Sequence, residues 1–324
     1  MAKNIFLAIA VVFFAVNMGA SGIAPSFAAA YGAKAIKRKG ALILFGLFVI
    51  AGALVLGRNV SVTLGKSLLP KEILNFDTVF VIMVSAALSL FLANLLSIPQ
   101  STSQVTVGAI VGAGLYYSRL NTHTLFFKIL PLWVLLPLLS YALTFFLYRI
   151  IYPPKHNNLH LYEKLFAHER KLKLTTLAVS CYVAFAIGSN NVANAVGPLF
   201  GAGIVGVSLG LLLISPVFGI GAAVLGIGPL ETAGREIVPL GIFSGTLVSF
   251  VTATLLIFAS IIGIPQSLVQ LNLCSLFAVS SLKNGHQNTL GLYITKKTFF
   301  IWVITPLLST GLSYLLLSLK ELGG

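Results

Sequence analysis

The chain has 324 residues, of which 57% are hydrophobic and only 9% charged, and its mean hydropathy is +0.99. A water-facing domain carries about 25% charged residues, so this composition excludes a soluble globular fold and reads as an all-α integral membrane protein. A net charge of +14 would raise nucleic acid as a partner for a soluble chain, but here the basic residues sit in loops, as the positive-inside rule expects, and nucleic acid is set aside.

The first hydrophobic segment lies near 5–30. Lys3 before it and small residues after it resemble a secretory leader, but the run continues to Tyr31 and has a partner in the second half, so it reads as the first mature span. Segments near 40–57, 77–97, 104–118 and 125–151 follow, and then the polar stretch "YPPKHNNLHLYEKLFAHERKLK". Five more lie near 174–199, 203–227, 238–262, 267–282 and 298–319. Windows of about 20 apolar residues are what a helix needs to cross a bilayer. The fourth segment of each set is shorter and rich in Ser and Gln, which fits a re-entrant helix. The division is residues 1–152, a cytoplasmic polar loop at 153–172, and residues 173–324.

The two sets repeat one another. "GASGIAPSF" at 19–27 matches "GSNNVANAV" at 188–196, and "TLGKSLLP" at 63–70 matches "TAGREIVP" at 232–239, both at an offset of 169. "SIPQSTSQ" at 97–104 matches "GIPQSLVQ" at 263–270 at an offset of 166. An odd number of segments per half makes the second half enter the membrane from the opposite face. With the N-terminus outside, most Lys and Arg fall on inner loops, among them Lys34, Lys37, Arg38, Lys39, Arg235, Lys283, Lys296 and Lys297. The expected architecture is two inverted-topology repeats of about five segments each, with broken or re-entrant helices at the midplane, where secondary transporters place their sites.

Four polar clusters lie in or beside these segments. Ser21-Gly22 with Pro25-Ser26 is repeated as Ser189-Asn190-Asn191 with Asn194, and Pro99-Gln100-Ser101-Thr102-Ser103-Gln104 as Pro265-Gln266-Ser267 with Gln270. Each Pro-Gln-Ser cluster reads as a helix start, with proline in the first turn. A helix N-terminus offers free N–H groups and partial positive charge, which suit an anion. The bland alternative is that small residues and amides serve close helix packing. For single Gly or Ser positions packing is the stronger reading, whereas duplication favours a ligand role for the repeated clusters.

An enzyme reading finds little to use. No acid lies deep in a span, no nucleophile–base pair or zinc spacing occurs, and Cys181 and Cys274 form no pattern. No catalytic or metal-binding residue is expected. His123, His156, His160, His168 and His286 read as solvated loop residues.

At these motifs the chain resembles the PiT family of inorganic phosphate transporters, which carries a G-A-N-D-V-A-N type signature and a G-x-P-x-S-T/S type turn in each of two inverted halves. "GSNNVANAVGPL" and "SIPQSTSQVTVGAIVGAGL" carry the resemblance, which spans nearly the whole chain. It implies a multi-pass carrier in the cell membrane that imports an inorganic oxyanion by alternating access, driven by a co-transported Na+ or H+. The family's aspartate is replaced by Gly22 in the first copy and Asn191 in the second, and Ser21 and Pro25 stand where the family has asparagines. The pattern is similar to the family's sulfate-permease branch. Phosphate at neutral pH keeps a proton that a carboxylate can accept, whereas sulfate has none and suits a donor-only site.

The expectation is therefore sulfate import, with phosphate symport as the alternative and a passive anion channel behind it. Substrate-binding residues are expected at Ser21, Gly22, Ser101, Thr102, Ser103, Asn190, Asn191, Asn194 and Ser267, supported by Gln104 and Gln270. Asn190, Asn191 and Asn194 would donate to the anion or orient neighbouring donors, and Gly197-Pro198 would end or kink their helix. Glu231, read as a loop carboxylate, is the candidate for proton coupling. No cofactor is expected; the partners are the oxyanion and the lipid bilayer, and a homo-oligomer is compatible with the sequence.

Overall fold

The computed structural model describes residues 2–322 apart from 96–99, 154–155, 157–158, 161–162, 164–166 and 292. Pro99 and much of the 153–172 loop thus lie outside the described residues. Among those described there is helix and no strand.

In the first half, α1 spans Ala2–Gly32, α2 Arg38–Val62, α3 Phe76–Leu95, α4 Thr102–Tyr116 and α5 Leu130–Ile151. The second half follows with α6 Glu169–Gly201, α7 Val207–Leu225, α8 Ile227–Leu240, α9 Ile242–Ile261, α10 Leu268–Asn284, α11 His286–Gly291 and α12 Tyr293–Leu322. Eight of these stretches are long and apolar enough to cross a membrane. Of the four that are not, α4 and α10 have 15 and 17 residues and α8 and α11 have 14 and 6. For α4 and α10 the shortfall bears on the site. At 1.5 Å per residue they reach only about 22–26 Å against a hydrocarbon core of about 30 Å. Both are nevertheless enclosed, because each packs between other helices instead of crossing alone. Large apolar side chains point outward elsewhere, Phe127 at 73%, Val55 at 67% and Phe300 at 66% exposure, which is a lipid-facing belt.

Close helix packing sets the centre. α2 runs along α6, and a methyl group placed on Gly52 would overlap Phe185 O, as one on Gly188 would overlap Val49 O. Without an apolar driving force between helices in lipid, such glycine contacts are how backbones approach closely.

Equivalent residues of the two halves make equivalent bonds. "WVLLPLLS" at 133–140 on α5 repeats as "WVITPLLS" at 302–309 on α12, a fourth match between the halves and the third at offset 169, which the sequence reading overlooked. Ser140 Oγ donates to Leu271 O in the first turn of α10 at 2.8 Å, and Ser309 Oγ donates to Val105 O in the first turn of α4 at 2.7 Å. Each short helix is thus held by the last long helix of the other half.

Several expectations are corrected. Gly197-Pro198 does not end α6, which continues to Gly201 and turns at Gly203, φ +72°. Pro25 sits inside α1, as a first segment running to Tyr31 requires. A proline within a helix removes the bond to the carbonyl four residues back, which frees Ser21 O and Asn194 O without stopping the helix. Pro265 is not in the first turn of α10 but two residues before its cap, Ser267. The stretch 228–237, read as a loop, lies within α8, so Glu231 is helical. His286 begins α11, and its Nδ1 lies 2.8 Å from Tyr141 Oη, so it is not simply solvated.

Candidate oxyanion site

The motif residues converge where α6 meets the N-termini of α4 and α10. Ser101 caps α4 by accepting from Gln104 N at 3.2 Å, and Ser267 caps α10 by accepting from Gln270 N at 3.1 Å. In both, the residue before the helix is extended and its side-chain oxygen meets the N–H of the third helical residue, the ordinary N-cap arrangement. Each serine keeps its own O–H for another acceptor. These are the helix starts that the Pro-Gln-Ser clusters imply, one per half.

Three side chains tie the two starts together. Ser103 Oγ, on α4, donates to Gln266 O, just before α10, at 3.0 Å. Asn194 Nδ2, on α6, reaches Ser103 Oγ at 3.2 Å and Thr102 Oγ1 at 3.4 Å. Asn190, one turn earlier on α6, donates through Nδ2 to Ser260 Oγ and Ile264 O, each at 3.0 Å, while its Oδ1 accepts from Gln266 N at 3.0 Å. Asn190 is therefore spent on bracing the approach to α10, a role within its expected alternatives of donating or orienting. Trp133 Nε1 adds a bond to Pro265 O at 2.7 Å.

What the junction does not bond internally is more informative. Asn191 is 6% exposed and makes no side-chain hydrogen bond among the described residues, with its Oδ1 buried. Asn194 Oδ1, Gln100 Oε1 and both polar atoms of Gln266 are also buried and unpartnered. An unsatisfied buried amide group costs about 1–3 kcal/mol, so a concentration of them marks a place built for another polar occupant. Among the described residues no group of His, Cys, Asp and Glu could hold a metal ion. Every side chain named here is neutral.

The remaining expected residues stand apart. Ser21 Oγ donates to Met18 O at 3.0 Å within its own helix, and Gly22 is buried, with Phe45 Cζ 3.1 Å from where a Cβ would sit. Neither bonds to the junction. Gln104 and Gln270 line a largely apolar cavity of about 960 Å³ between α4, α5, α10 and α12, together with Trp133, Trp302 and Phe277. Glu231 is half exposed and faces Arg38 at 3.9 Å, with no bond to the junction. Sequence reasoning missed Ser260 and Trp133, whose partners are distant in the chain.

The profile of the phosphate transporter family matches residues 18–313. The chain belongs to that family. It is 39% identical over 308 residues to the sulfate permease CysP of Bacillus subtilis, covering 95% of this chain and 85% of that one. The solved structure of a sodium-dependent phosphate transporter superposes with a TM-score of 0.83 at 23% identity, covering 99% of this chain and 100% of that one, which establishes the fold. Family and fold make this a multi-pass membrane transporter and not an enzyme, and its substrates are inorganic anions of the phosphate and sulfate kind.

Proposed function

We propose that this chain imports sulfate by alternating access, using the junction of α4, α6 and α10 as its anion site. One observation carries the reading: the junction holds only neutral amides and hydroxyls, several of them buried without partners, and both family aspartate positions are occupied by Gly22 and Asn191. Amides, hydroxyls and two capped helix N-termini supply donors to a dianion and place no carboxylate beside it. The likeness to a protein named as a sulfate permease supports the same choice. Phosphate is the second reading, favoured by the family description.

The matched bonds of Ser140 and Ser309 support a two-fold relation between the halves, which we read as an inverted repeat with its site where the halves meet. Alternating access then exchanges the roles of α4 with α10 and of α5 with α12. For the driving ion, amide oxygens and the carbonyls freed by Pro25 and Pro198 are neutral ligands of the kind sodium accepts. Glu231, half exposed and ion-paired, is the proton alternative. The test is radiolabelled sulfate uptake into proteoliposomes under an imposed sodium or proton gradient. Accumulation driven by sodium and abolished by its collapse is expected; flux that follows only the sulfate gradient would replace the carrier with a channel.

A further inference from the structure

Two side chains at the junction have no role in the account so far. Gln100 and Gln266 occupy the same place in the two Pro-Gln-Ser clusters, each directly before the serine that caps a helix. Gln266 is 0% exposed, and neither its Oε1 nor its Nε2 has a partner. Gln100 is 7% exposed with Oε1 buried and unpartnered. The Gln266 backbone is gripped from both sides, its N–H by Asn190 Oδ1 and its C=O by Ser103 Oγ, so the side chain cannot escape by moving the chain. A leucine would fill such a place without the cost of an unsatisfied amide. Duplication instead keeps a glutamine in both halves.

We infer that Gln100 and Gln266 are a pair of anion ligands of the carrier, one amide from each half, donating to the bound oxyanion. The inference rests on the oxyanion reading above and deepens it. A primary amide has two N–H donors and one acceptor. Sulfate, with acceptors only, uses the donors of both glutamines. Bonds to a charged oxygen are about twice as strong as neutral ones, so losing one amide should weaken sulfate binding at least about tenfold.

The experiment is sulfate uptake by purified protein in proteoliposomes, comparing wild type with Gln266→Leu, Gln266→Glu and Gln100→Glu, alongside thermal unfolding of each in detergent. Gln266→Leu should raise the sulfate KM at least about tenfold while leaving Tm unchanged or higher, because it removes an unsatisfied amide. The two Glu variants should acquire a pH dependence that wild type lacks. At pH 8 the carboxylate repels the dianion and uptake falls at least about tenfold; at pH 5.5 the buried carboxyl is protonated, donates again, and uptake recovers. Wild-type KM in Gln266→Leu, or flat pH profiles in both Glu variants, would overturn the inference while leaving sulfate transport standing. A wild-type protein that carries phosphate and no sulfate would instead overturn the substrate reading, and this inference with it.

Discussion

Removing the Asn190 side chain separates its bracing role from ligand contact. Asn190→Ala deletes three hydrogen bonds of 3.0 Å and leaves Ile264 O and Gln266 N without their side-chain partner in a buried segment. Interhelical hydrogen bonds in membrane proteins average about 0.6 kcal/mol, which puts a floor near 2 kcal/mol for three. Counting the stranded backbone groups at about 1 kcal/mol each raises the loss to about 4 kcal/mol. At about 2 °C per kcal/mol for a chain of this size, Tm in detergent should fall by about 4–8 °C. The control is Asn191→Ala, next in sequence and equally buried but without side-chain bonds, which should leave Tm within about 1 °C of wild type and still abolish uptake. Equal Tm values for the two variants would refute the assignment of Asn190 to the frame and Asn191 to the ligand.

Gly52→Ala should abolish folded protein in the membrane, because its methyl would overlap Phe185 O, whereas Gly46→Ala on the same helix, with no atom nearer than 3.7 Å, should express and transport normally; quantitative size-exclusion yield decides. Ser309→Ala removes one bond and should lower Tm by about 1–3 °C, while Ser140→Ala, which also loses the bond to Ser275 Oγ, should lower it more; equal losses in matched thermal melts would contradict this. Glu231→Gln should leave the uptake rate, its driving ion and its pH profile unchanged, since a half-exposed pair with Arg38 is worth only about 0–1 kcal/mol; loss of gradient coupling in that variant would move the coupling site to α8.

The membrane class, the two sets of segments and the two capped helix starts were legible because they rest on local signals: apolar length, internal repetition, and serine three residues before the N–H it accepts. The short fourth segments were visible for the same reason. Proline misled the reading in both directions. Pro198 looks like a helix end, yet in a tightly packed bundle neighbouring helices hold the chain helical and only one carbonyl is released. Pro265 looks like a first-turn residue but fixes the extended approach to the cap. The separate work of Asn190, Asn191 and Asn194 was not legible, because three amides within five positions differ only in what faces them, and that is decided by Ser260, Ile264, Thr102 and Ser103 from distant segments. Gln100 and Gln266 stood in the repeat itself; their signal, a polar residue kept in both halves where an apolar one would pack, was present and passed over.

Selection of sulfate by a neutral site is tested by substrate competition in wild type and Asn191→Asp. Uptake of labelled sulfate by wild-type proteoliposomes should persist in a hundredfold excess of phosphate. Restoring the carboxylate at this buried, unpartnered position should cut sulfate uptake about 100-fold, the effect of a like charge beside a dianion, and should make phosphate the better competitor. Phosphate that blocks wild-type sulfate uptake at equal concentration, or an Asn191→Asp variant that still prefers sulfate, would contradict it.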